Sequence, residues 1–157
     1  MAFDKQITIP EGYTFRPLEK TDYHNNYLDV LRVLTEVGEI SESKFNELFD
    51  YWKSLSDIFH PHVITNKSGK IVAVGMVLFE RKMIHECSIY AHIEDIAVAE
   101  SEQGNKLGYS MIVGLTNVAK EGGCYKIILD CDPKNIGFYE KCGYTNGGNE
   151  MFLKFNA

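Results

Sequence analysis

The 157-residue chain contains no CxxC pair, and its four cysteines (Cys87, Cys124, Cys131, Cys142) lack metal-ligand spacing. Neither a zinc site nor a disulfide framework is therefore expected, and no metal is assigned. Basic charge is in the minority: 16 Lys+Arg stand against 22 Asp+Glu, a formal charge of −6. The domain-wide cationic surface that marks a nucleic-acid binder is missing. No run approaches the roughly 20 apolar residues of a membrane-spanning helix. The opening stretch, MAFDKQITIP, holds no apolar leader. Repeats, low-complexity tracts and Pro/Ser-rich linkers are also lacking. These shortages predict a reducing, cytoplasmic setting without a membrane span or a nucleic-acid partner. What the chain does have is core material: 45% hydrophobic and 24% charged residues, the composition of one globular domain, expected over 1–157.

Residues 13–18 alternate like a short strand. Thr21 and Asp22 are placed to cap a helix carrying Tyr27, Val30, Leu31, Leu34 and Val37, with Gly38 to end it. A second helix is expected from Ser41, with Phe45, Leu48, Phe49 and Trp52 on one face. Residues 63–65 and 70–81, joined by a Ser68-Gly69 turn, read as a hairpin, and 87–99 as a long, bulge-prone strand. A helix over 104–120 carries Leu107, Met111, Leu115 and Val118 on one stripe. The apolar run 125–131 reads as a central strand buried on both faces. Pro133 opens a helix through Lys141, Gly143 closes it, and 151–155 reads as a last strand. The order predicts an α/β (α+β) mixed sheet flanked by helices.

Two constellations carry chemistry. In the first, the strand HIEDIAV (92–98) runs through a glycine-containing turn into a helix. Helix-start amides have no partners and sit at the positive end of the dipole, which suits a diphosphate. Taken alone, such a turn fits an unliganded connection better than a ligand site. In the second, an apolar strand ends in Asp130 and Asp132, followed by a helix carrying Asn135 and Tyr139. This places a carboxylate, an amide and a phenol at the carboxyl end of a strand, where open α/β sheets take ligands. By spacing alone, Tyr139 fits packing against Phe138 and Tyr144 as well as proton donation.

HIEDIAV, the 103–108 turn and IILDCDPKNIGFYEKCGY (127–144) together resemble the GCN5-related N-acetyltransferases. With LTEVGEIS (34–41), ERKMIHE (80–86) and YKIILDCD (125–132) in order, the likeness narrows to the branch acting on glucosamine 6-phosphate, toward UDP-N-acetylglucosamine. The resemblance implies acetyl-CoA as co-substrate, its diphosphate held by Gln103, Gly104, Asn105, Lys106, Leu107, Gly108 and Tyr109. The pantetheine arm would lie along the main chain of Ile96, Ala97 and Val98, with Asn135 as a further contact. On the acceptor side it implies Thr35, Lys82, Met83, Ile84, His85, Glu94, Asp95, Ile96, Tyr125, Lys126, Asp130 and Lys154. Lys106 stands where the superfamily turn has glycine. Lys154 stands where the branch usually has arginine, giving a point charge in place of a guanidinium fork.

Direct transfer requires a proton acceptor for the sugar ammonium and a donor to the departing sulfur. Glu94 and Asp130, or a strand carbonyl, fit the first role and Tyr139 the second. The resemblance also implies a homodimer with an exchanged C-terminal strand and shared sites. The competing functions are acetylation of a polyamine, a peptide or an unphosphorylated amino sugar, and a non-catalytic acyl-CoA-binding module.

Overall fold

The computed structural model describes residues 3–155; the expected domain's residues 1, 2, 156 and 157 lie outside them. Five strands form one mixed sheet in the order β1 (Thr14–Pro17), β2 (Phe59–Thr65), β3 (Ile71–Arg81), β4 (Ile89–Val98), β5 (Lys126–Ile128). All neighbours are antiparallel except β4 and β5, which run parallel. That parallel step needs a crossover, and α4 (Leu107–Glu121) supplies it. Helices α1 (Tyr27–Leu31) and α2 (Glu42–Ser54) cover one face of the sheet. Helix α4 and the short α5 (Ile136–Cys142) cover the other, and a single turn, α3 (Ile84–Cys87), links β3 to β4.

The centre of the sheet is β3, whose residues 71–77 are all buried. Ile71 and Val74 pack into the α1–α2 layer and Val72, Ala73 and Val77 into the α4 layer, so both faces must be apolar. The run 125–131 takes a different place. It is the edge strand β5, reduced to three paired residues, with Tyr125 and Ile128 exposed. Its apolar content matches a buried strand, but the chain offers it a neighbour on one side only. The expected strand over 151–155 is likewise absent from the sheet, and Met151, Phe152, Leu153 and Phe155 stand exposed.

The helical layer over α1 also departs from the expected form. Thr21 and Asp22 do not cap a long helix; they lie in a 3-10 turn, Lys20–His24, capped by Glu19, and α1 stops at Leu31. Asp22 is 2% exposed and receives both guanidinium nitrogens of Arg16 at 2.8 Å, with a third bond from the Glu19 amide at 2.8 Å. Burial that complete offsets a charge only when every lone pair is engaged. The second helix follows expectation, with Ser41 accepting from the Lys44 amide at 3.2 Å. Phe45 is buried on it, but Leu48 faces outward.

Burial alone would push the Asp22 carboxyl up; the Arg16 fork and the Glu19 and Asn25 bonds outweigh it and hold the group below its ordinary value. A depressed carboxyl contributes stability above its unfolded pKa that is lost as pH falls through the folded one. Asp22→Asn is therefore expected to lose about 2–3 kcal/mol of unfolding free energy at pH 7. In urea titrations its deficit against the parent shrinks as the pH falls below the ordinary aspartate value of about 3.9 and through the lower folded one.

Candidate active site

The site begins where the two parallel strands part. Pairing between β4 and β5 covers only Tyr90↔Lys126, Ala91↔Ile127 and His92↔Ile128. Beyond it β4 continues to Val98, while residues 129–131 leave the sheet. A distortion in β4 lies at the same level. Met76 pairs with Glu94 and Val74 with Ala97, so β4 carries one more residue than β3 between them. Asp95 absorbs the extra length in a left-handed conformation, φ 55°. Opposite it, Gly75 leaves the room this needs: a β-carbon there would lie 2.6 Å from Ile96 Cδ1 and 2.9 Å from Leu115 Cδ1. The bulge exposes Glu94 and Asp95 side by side.

At the end of β4 the chain makes a 3-10 turn, Glu100–Glu102, and enters α4 through residues 103–106. Gly104 (φ 93°) and Lys106 (φ 61°) are both left-handed, and the first main-chain bond into the helix runs from the Ser110 amide to the Lys106 carbonyl at 3.0 Å. Among the described residues, the amides of Lys106, Leu107, Gly108 and Tyr109 have no acceptor. Gln103 donates from Nε2 to the Val98 carbonyl at 3.4 Å, tying the turn to the strand end. A row of bare amides beside an open strand edge is the donor set that an extended diphosphate-bearing ligand requires. Asn135 is exposed at the start of α5, after Pro133 and the Asp132 cap of the Lys134 amide at 3.0 Å.

Against β5 and α5 lies a cleft of about 730 Å³ lined by residues 126–131 and 144–150 with Tyr139, so that Lys126, Asp130 and Tyr139 share it. Tyr139 packs edge-to-face on Phe138 at 5.0 Å, and among the described residues its hydroxyl has no hydrogen-bond partner. Tyr144 instead bonds Thr116 at 2.6 Å. Burial, with smaller contributions from Cys131 and Cys142, raises the Tyr139 pKa, so the phenol keeps its proton in neutral solution. Glu94 is shifted upward too, first by burial and then by the negative charges of Asp95 and Asp130. The structure thus brings Glu94, Asp95 and Asp130 into one electrostatic group, with Tyr139 lining the same cleft as Asp130.

The expected cations gather at the start of β4, where Lys126 also lines the cleft. Lys82 Nζ and Lys126 Nζ lie 5.4 and 4.9 Å from the Tyr90 ring centroid, and His85 stacks on Tyr125 at 4.4 Å. Lys82 also pairs with Glu80 at 2.7 Å, which His92 contacts at 2.7 Å as well. His85, Glu86 and Cys87 are consecutively left-handed, with Met83 and Ile84 largely exposed beside them. Four residues of strand, about 13 Å, separate Tyr90 from Glu94. Thr35 is exposed beyond α1, and Lys154 lies over the Phe152 ring at 5.8 Å in the tail. Neither joins the two groups within this chain. Sequence reasoning missed Glu80 and Tyr90; it expected a bulge within 87–99 but not its place at Asp95. The alternation of Glu80, Lys82 and His92 across a hairpin was the available signal for the first. Among the described residues, no three His, Cys, Asp or Glu side chains converge as a metal cage. No helix among them is long and apolar enough to cross a membrane.

The profile of the acetyltransferase (GNAT) family matches residues 23–144. A glucosamine 6-phosphate N-acetyltransferase of Candida albicans is 60% identical over 149 residues, 95% of this chain and 100% of that protein. A glucosamine 6-phosphate N-acetyltransferase of Dictyostelium discoideum is 38% identical over 146 residues, 92% of each. The crystal structure of glucosamine-6-phosphate N-acetyltransferase from Arabidopsis thaliana superposes with a TM-score of 0.90 at 35% identity, covering 93% of this chain and 100% of that one.

The charge grouping can be read directly. A carboxyl-carbon NMR titration is expected to find Glu94 titrating above the ordinary glutamate value of about 4.3. Asp130→Asn moves that midpoint downward, because it removes one of the negative charges that raise it; an unmoved midpoint contradicts the grouping.

Proposed function

This chain belongs to the acetyltransferase (GNAT) family, and on that premise we propose that it transfers acetyl from acetyl-CoA to the 2-amino group of glucosamine 6-phosphate, releasing CoA and N-acetylglucosamine 6-phosphate. The observation that carries this reading is the parting of β4 from β5 next to the bare amides of α4. The acceptor follows from likeness to glucosamine 6-phosphate N-acetyltransferases over nearly the whole chain. Residues 1–157 act as one such domain, in the cytoplasm.

When bound, acetyl-CoA supplies the acyl group as a thioester. The amides of residues 106–109 receive the diphosphate oxygens, with Gln103, Gly104 and Asn105 shaping the turn. The open edge of Ile96, Ala97 and Val98 and the amide of Asn135 orient the arm. At neutral pH an amino sugar is largely an ammonium, without a free lone pair. Glu94, with its raised pKa, accepts one proton, and Asp130 supports it. The second proton of the amine leaves as the new amide forms and restores the Tyr139 phenol through water, while Glu94 gives up its proton to solvent. Tyr139, held protonated, gives its hydroxyl proton or a hydrogen bond to the departing sulfur, and the released thiol carries a proton away. Holding amine and acyl carbon in line contributes the rest, without a covalent enzyme intermediate.

Within one chain Lys126 and Asp130 share the cleft, while Lys82 stands about four strand residues from Glu94 and Thr35 and Lys154 join neither group, which leaves the acceptor site incomplete. A homodimer resolves this. The exposed tail, 151–155, crosses to the free edge of the partner's β5, carrying Lys154, while Thr35 and 82–85 with Tyr125 and Lys126 complete the acceptor site across the interface. The pairing also covers four apolar side chains that are at least 75% exposed in the single chain.

Mixing protein, acetyl-CoA and glucosamine 6-phosphate and following free thiol tests the activity. Thiol release is expected to be much faster than with unphosphorylated glucosamine; no release, or equal rates, refutes the assignment. Tyr139→Phe is expected to lower kcat about 100-fold with little change in either KM. By sedimentation, the full chain is expected as a dimer, and a chain ending at Thr145 as an inactive monomer. A fully active monomer would overturn the shared site.

A further inference from the structure

We propose that Tyr13 is a positioning residue for the coenzyme turn, holding Glu102 and through it Asn105, so that the turn keeps its receptive shape with lysine at position 106. The inference rests on the acetyl-CoA reading above but is carried by a separate network. The Tyr13 ring packs against the core on the α4 side of the sheet, just before β1. Its hydroxyl donates to Glu102 Oε2 at 2.5 Å, across 89 residues of sequence. The same oxygen accepts from Asn105 Nδ2 at 2.9 Å, and the Asn105 amide reaches the Glu102 carbonyl at 3.3 Å.

Two physical needs meet in this brace. Lys106 sits at φ 61°, a conformation that glycine adopts freely and a β-carbon disfavours. Left unsupported, a lysine there draws the turn toward other shapes and folds the bare amides away. Glu102 is also a carboxylate one turn from a site for a dianion. Committing its oxygen to a phenol and an amide fixes that charge away from the amides. Tyr13, Glu102 and Lys106 thus act as one set: the lysine creates the strain and the other two restrain it.

Tyr13→Phe keeps the ring and removes only the donor. It is expected to raise KM for acetyl-CoA about fivefold, one hydrogen bond's worth, leaving kcat and KM for the amino sugar within about twofold. Adding Lys106→Gly is expected to bring KM back near the parent value, since glycine does not need the brace. Glu102→Gln, which still accepts, is expected to cost less than Glu102→Ala. Amide hydrogen exchange at 103–107 in the free protein should rise in Tyr13→Phe and fall again in the double variant. An unchanged KM for acetyl-CoA, or a loss of kcat that Lys106→Gly does not repair, overturns the proposal. If the parent chain releases no thiol, the exchange experiment still decides the brace: faster exchange at 103–107 supports it and unchanged exchange overturns it.

Discussion

The short parallel pairing of β4 with β5 is the constraint on which the remaining features hang. Three residue pairs are enough to fix the two strands side by side, and the bulge at Asp95 follows immediately. A longer pairing would bond the edge of 96–98 to β5 and leave nothing open. A β-carbon at position 75 would press on Ile96 and Leu115, so the bulge depends on a glycine in the neighbouring strand. The helix after β4 then begins at the mouth of the opening, which puts its amides and the cleft residue Tyr139 at one end of the sheet.

Charge is distributed along the same strands in opposite senses. Near the parting, burial first and then the negative charges of Asp95 and Asp130 raise the proton affinity of Glu94. Near the start of β4, two ammonium groups rest on Tyr90 and a histidine stacks on Tyr125. Cations over aromatic faces remain partly desolvated and available to an anion. Glu80 limits that availability for Lys82, which leaves Lys126 the less encumbered of the pair.

Much of this was legible in the sequence because local chemistry decided it. Ser41 and Pro133 start helices by their own side chains, and β3 and α4 carry apolar runs too dense to sit anywhere but the core. The errors fall where a distant partner decides. An apolar strand reads alike at the centre and at an edge, so 125–131 was placed inside. Asp22 looks like a cap until Arg16, six residues earlier, encloses it. The left-handed Asp95 depends on β3, and the Tyr13–Glu102 contact spans more than half the chain; neither leaves a pattern in the residues around it. Of the candidate site, the motif residues stand out in the sequence, but their spread along β4 is visible only in the fold.

The uncovered β5 edge and the apolar tail beside it bear on how the polypeptide fares when newly made. An unpaired strand and four greasy side chains form an adhesive that does not discriminate among suitors. Under the dimer proposed above, solubility of the solitary subunit is tied to its own abundance: dilute chains linger with that adhesive bare, and encounters with foreign strand edges compete with self-recognition. Synthesis and assembly must keep pace with each other.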